Sequence, residues 1–309
     1  ESLLPWLINT ARHGVSSVER NGAAQGLAEV LAALGAEAIH ATVPGMLRLI
    51  SEGTASEREG ALFCLTFFPA SLTQDFEQYL SQSLSPMLAA LADERENVRE
   101  AAIKAGRVLV RHYAVTSLDL LLPELEKGLF HDDWRIRQAS VLLIGDLLMR
   151  VTGTSESKWA ASLANNEGGE EPQEDDMDDE DEDLASLDGG HVLSHKERRQ
   201  KRSQTGGSGF GGSESILVAL GSKLGDYRRD MLLAAIYVMR SDTRGEVRQA
   251  SLNIWKQVVT NTPRVMRAIL PCLLETAMNS LAATSVERQT IAGRALGDLI
   301  RKMGDKVTP

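Results

Sequence analysis

The side chains in this sequence that could act on a ligand are few, and their arrangement rules out most reactions. The run GSGFGG at residues 207–212 has the glycines of a phosphate-cradling loop. It follows no strand pattern and has no Walker lysine, so it reads as part of a flexible linker. His191 and His195 stand one helical turn apart, a spacing two metal ligands can share, but no cysteine accompanies them. The remaining histidines are scattered, and no Ser, His and Asp can be gathered into a nucleophilic set. The expectation is therefore no catalytic residue, no cofactor, no metal and no small-molecule substrate. Cys64 and Cys272 lie far apart, each within a helical pattern. Buried thiols of a reducing compartment are expected there, not a disulfide.

Chemistry suited to holding partners is better represented. Trp134 sits beside Arg135 at the start of a helical pattern, and Arg228 with Arg229 and Arg264 with Arg267 form two basic pairs. Aromatic and arginine side chains anchor many interfaces, and guanidinium groups match phosphate and carboxylate. For Trp134 a plainer role, filling the gap between repeats, stands beside this one.

These residues are carried by a recurring unit. The stretch DDWRIRQASVLLIGDLL, Asp132 to Leu148, is an aspartate turn, an arginine and an amphipathic helix. Variants recur at Glu96 to Gly106, Gly245 to Trp255 and Val286 to Leu299, with weaker copies at Val18 to Leu27 and Ser56 to Leu65. The aligned arginines are Arg20, Arg58, Arg99, Arg137, Arg248 and Arg288, spaced by 38, 41, 38, 111 and 40 residues. Pro5, Pro44, Pro86, Pro123 and Pro271 keep the same beat, each 13 to 17 residues before its arginine. A helix, turn and helix repeating near every 40 residues predicts an all-α fold, a HEAT or armadillo-type α-solenoid: a right-handed superhelix of antiparallel helix pairs. A proline inside each first helix removes a hydrogen bond and bends it. Asp93, Asp132 and Asp242 precede Arg99, Arg137 and Arg248 by five or six residues. With Arg288, they are expected to form a structural ladder between neighbouring repeats.

The organisation follows. Residues 1–152 hold repeats one to four, 153–212 an insertion, and 213–309 a short helix with repeats five and six. The second repeat's second helix is expected to stop at Pro69, the penultimate helix of the chain to cover Val265 to Ala282, and the last to end at Gly304. The insertion has three blocks: eleven acids in fourteen positions at 170–183, five bases in His195 to Arg202, and the glycine-rich Thr205 to Ser213. Self-repelling charge with little apolar content predicts disorder there. It carries 15 acids and 6 bases, so the net charge of −10 belongs almost wholly to it, and the helical remainder, 28 acids against 27 bases, is near neutral. The longest apolar run, Met231 to Met239, has nine residues, too few to span a bilayer. Neither end has the polar capping repeat that a free solenoid needs, so the chain is expected to be a fragment of a longer array.

The wording of the repeats is more specific than their period. DDWRIRQASVLLIGDLL, RSDTRGEVRQASLNIWKQVVTNTPR and RALGDLIRKMG, with LPWL at Leu4 to Leu7 and GAAQGLAEV at Gly22 to Val30, resemble the central HEAT array of the large translational-activator scaffolds of the starvation-responsive initiation-factor-two-alpha kinase. The resemblance covers nearly the whole chain, the acidic insertion being the main departure. It implies a cytoplasmic, non-catalytic scaffold that is similar to the HEAT domain of fungal elongation factor three. It further implies binding to stalled or collided ribosomes through ribosomal RNA or stalk proteins, an ABC-F family partner, and relay of the uncharged-tRNA signal to the kinase. The kinase contact itself is expected in a more C-terminal part of such scaffolds. A karyopherin-like transport receptor and a phosphatase or kinase regulatory scaffold share the same composition and remain alternatives.

Overall fold

The structure, a computed structural model, describes residues 3–153, 212–259 and 261–307; these are helical almost throughout, with no strand among them. Residues 154–211, with the acidic and basic blocks, His191, His195 and most of the glycine-rich run, lie outside the described residues. The chain divides into two compact units, Glu1–Val151 and Thr152–Pro309.

The first unit holds α1 (Leu3–His13), α2 (Ser17–Leu34), α3 (Ala36–Glu52), α4 (Ala55–Leu72), α5 (Gln74–Glu77), α6 (Leu80–Ala90), α7 (Glu96–Tyr113), α8 (Leu118–Leu129) and α9 (Trp134–Val151). Their ends follow local chemistry. The Ser16 hydroxyl accepts the Glu19 N–H at the start of α2, and Gly35, at φ 84°, ends it in a conformation a side chain would oppose. Thr54 and Glu57 form a capping box at the start of α4. α2, α4, α7 and α9 pack side by side in that order, α3, α6 and α8 form a second row, and each pair closes on itself. This is the stacking of HEAT repeats, in which every pair buries its apolar stripe against its neighbours. α1 and α4 meet backbone to backbone: a Cβ at Gly60 would stand 1.8 Å from the Ala11 carbonyl oxygen.

Proline plays more than one part. Pro44, Pro86 and Pro123 lie inside α3, α6 and α8. The expected stop at Pro69 is corrected: α4 continues through it to Leu72. Phe68 and Leu72 flank it and are buried, Phe68 against Phe76 with ring centroids 6.0 Å apart. That burial offsets the roughly 3 kcal/mol an interior proline costs. Pro271 opens a helix instead of bending one.

The second unit holds α10 (Gly212–Leu224), α11 (Asp226–Met239), α12 (Gly245–Val258), α13 (Thr262–Ala268), α14 (Leu270–Leu281) and α15 (Val286–Val307). α11 is its hub, packing on α10, α12, α14 and α15, and every residue from Leu232 to Met239 is buried. A helix apolar all round must be enclosed. Two boundaries differ from expectation. The helix expected over Val265 to Ala282 is broken at Ile269 into α13 and α14, where Pro271 starts the second piece. α15 runs through Gly304 to Val307.

One contact between repeats has a pH signature. The Glu57 carboxylate accepts the Thr54 N–H at 3.0 Å and the Arg12 guanidinium at 2.7 Å, and these bonds draw its pKa from 4.5 down to about 2. A carboxylate depressed by folding stabilises fully above its unfolded pKa and loses that contribution as pH falls towards the folded value. Thermal melts of wild type and Glu57→Gln should therefore diverge above about pH 5 and converge as pH approaches 2. Parallel curves across that window would show that Glu57 is not the source.

Candidate interaction surface

The repeat arginines hold turns. Arg20 Nη1 donates to the Gly14 carbonyl at 2.6 Å and Arg58 Nη1 to that of Gly53 at 3.0 Å. Arg99 reaches the Asp93 and Glu94 carbonyls at 2.8 and 3.1 Å, and Arg137 those of His131 and Asp132 at 2.8 and 2.9 Å. In the second unit Arg248 does the same at Asp242 and Thr243, 2.9 and 3.1 Å. Each guanidinium thus satisfies carbonyls that end the first helix of its own pair. Arg288 differs: it is half-buried, donates to Ser280 Oγ at 3.2 Å, and burial lowers its pKa.

Asp93 receives Arg58 of the preceding repeat, at 2.7 and 3.0 Å, and the Arg95 N–H at 2.9 Å. Burial raises its pKa, but Arg58, the Arg95 N–H and Arg99 outweigh that, and the net direction is down. Asp242 accepts the Arg244 N–H at 2.9 Å in the same way. The residue in the matching place of repeat four is His131, whose Nδ1 accepts the Asp133 N–H at 3.0 Å; Asp132, one position on, gives Arg137 its carbonyl. The deeply buried bond between repeats, Arg20 to Glu59, has no signal in the sequence, because glutamates at that place in a helix are common on exposed faces.

The expected partner-binding residues fall on both units. Trp134 and Arg135 are half-buried at the start of α9, with the guanidinium over the indole, 4.8 Å from its centroid. They line a groove of about 370 Å³ with Gln138 and Ala139 of α9, Glu96, Arg99, Glu100 and Ile103 of α7, and Leu91. The α7 residues do not stand out by type, although their spacing of three, four and seven places them on one face. In the second unit Arg229 is held between Asp226 and Asp230, each at 2.7 Å, so its charge is neutralised locally. Arg228 is half-buried. Arg264 and Arg267 are exposed one turn apart on α13, whose start is fixed by Asn261 Oδ1 accepting the Arg264 N–H at 3.0 Å.

Cys64 and Cys272 are free and buried, and burial pushes both thiols up. Among the described residues no group of three or more His, Cys, Asp or Glu is set to hold a metal ion, and no helix is long and apolar enough to cross a membrane.

Comparison with known proteins adds a family to this geometry. The family described as EF3 N-terminal HEAT repeat matches residues 20–152. The chain is 40% identical over 311 residues to the stalled ribosome sensor GCN1 of Homo sapiens, covering 100% of the chain. It is 42% identical over 305 residues to the protein ILITYHIA of Arabidopsis thaliana, covering 99% of it. It is 37% identical over 302 residues to the eIF-2-alpha kinase activator GCN1 of Saccharomyces cerevisiae, covering 98%. The chain spans 10% of the length of each of these relatives.

Proposed function

This chain is homologous along its whole length to one HEAT-repeat segment of the GCN1 proteins, and on that premise we propose that it is a non-catalytic scaffold segment that binds stalled or collided ribosomes. In this reading it works in the cytoplasm, beside an ABC-F family partner. It helps relay the uncharged-tRNA signal to an initiation-factor-two-alpha kinase held elsewhere on the full scaffold. The observation that carries the reading is the alignment of nearly every residue with proteins named as a stalled ribosome sensor and as a kinase activator. The architecture supports it. Stacked helix pairs offer long surfaces for partners, and holding several on one rod raises their effective concentration.

Of the three basic clusters singled out in the sequence, the pair Arg264 and Arg267 is exposed and suits ribosomal RNA. Reversing both to glutamate should weaken co-sedimentation with purified ribosomes. It should also reduce the slope of log affinity against log salt by about 2, one for each phosphate no longer neutralised. Sedimentation that stays the same at every salt concentration would remove RNA binding by α13 from the reading.

A further inference from the structure

The groove between α7 and α9 has the chemistry of a polypeptide site, not of an RNA site. Leu91, Ile103 and Ala139 supply apolar surface, and Trp134 forms part of the wall with Arg135 stacked on it. Its volume of about 370 Å³ suits a few side chains, at the small end of binding pockets. The charges decide what those side chains are. Arg99 is turned towards the carbonyls of its own turn. Glu96 and Glu100 are exposed on the rim, one helical turn apart, and neither forms an ion pair or side-chain hydrogen bond among the described residues. Two like charges at that spacing repel each other, and a cation between them relieves the repulsion. A phosphate backbone would instead meet both carboxylates.

We propose that this groove binds an extended segment of a partner protein that presents an apolar side chain flanked by lysine or arginine. The apolar side chain enters between Leu91, Ile103 and Trp134. The basic side chain lies across Glu96 and Glu100, and Arg135 on the rim meets a main-chain carbonyl. The assignment gives Trp134 and Arg135 to protein recognition and leaves RNA to α13. It stands apart from the ribosome reading, because its test contains no ribosome.

Fluorescence anisotropy of the full chain with a fluorescein-labelled peptide, acetyl-GKLKGKLKGG, tests it. Saturable binding is expected, weakened by salt and absent when glutamate replaces each lysine. Glu96→Lys with Glu100→Lys should weaken it by about tenfold or more; both residues are exposed, so the melting temperature falls only slightly, through the lysine placed in the first turn of α7. Ile103→Ser, a second variant in the apolar wall, should weaken it with little change in salt dependence. Binding that is equal in the charge-reversed variant, equal for the glutamate peptide, or displaced by a labelled oligouridine that binds more tightly would overturn the proposal.

Discussion

Glu59→Ala should destabilise the first unit by about 3–5 kcal/mol, the cost of leaving one partner of a buried ion pair behind. Glu59 is 1% exposed and Arg20 6%. Arg20 Nε donates to Glu59 Oε2 at 3.0 Å, Nη2 makes a second bond to the same oxygen, and Ser17 Oγ donates to Oε1 at 2.6 Å. Alanine removes the carboxylate bonded to that guanidinium and leaves its charge between α2 and α4 with the Gly14 carbonyl and Ser17 hydroxyl. The pair as a whole is a different matter. Replacing both partners, as Arg20→Met with Glu59→Leu, should recover most of the loss, because two well-packed apolar side chains avoid the desolvation cost that the ions carry. Urea denaturation of the two variants and wild type measures both effects. A loss below about 1 kcal/mol for Glu59→Ala would show that the pair behaves like a surface salt bridge.

Trp255→Ala is expected to cost the second unit about 3–5 kcal/mol, the range for a large buried aromatic. Trp255 is 1% exposed, meets Tyr237 of α11 edge-on at 5.1 Å, and donates its indole N–H to Thr262 Oγ1 at 2.9 Å. Arg240 packs against both rings, 4.9 Å from the Tyr237 centroid and 5.8 Å from that of Trp255. The substitution opens a cavity beside the hub helix, weakens the cation–π interaction and frees the start of α13. Hydrogen exchange in α11 and α12 should accelerate by two orders of magnitude or more, at about 1.4 kcal/mol per factor of ten. Protection that persists there would mean that the hub is held by α10, α14 and α15 without α12. Because repeat arrays are stabilised pair by pair, binding of the lysine peptide to the groove on α7 and α9 should survive this substitution.

Much of the fold was legible from local chemistry. The helix, turn and helix unit recurs where the repeat predicts it, because its apolar stripe and its turn are set by residues a few positions apart. The 40-residue beat of arginines was legible for a related reason: all but Arg288 return to carbonyls of their own turn, five or six residues back. Helix continuity was less legible. Pro69 reads as a stop and Val265 to Ala282 as one helix, but the burial of Phe68 and Leu72 carries α4 past the first. At Ile269 the backbone turns where Pro271 withholds its N–H. The candidate surface was half legible. Trp134 and Arg135 stood out by type, whereas Glu96, Glu100 and Ile103 are ordinary residues of an amphipathic helix until α9 is laid beside them.

The repeat, its helical class and the stripe each helix hides follow from spacing along one chain, so the order of residues is enough to specify them. Packing between helix pairs settled the rest: that Arg58 takes Asp93, that Arg20 takes Glu59 and that Arg12 takes Glu57. Which charge meets which depends on how adjacent pairs are set against each other. That setting comes from side chains meeting across 35 to 45 residues of chain, and no local pattern encodes it.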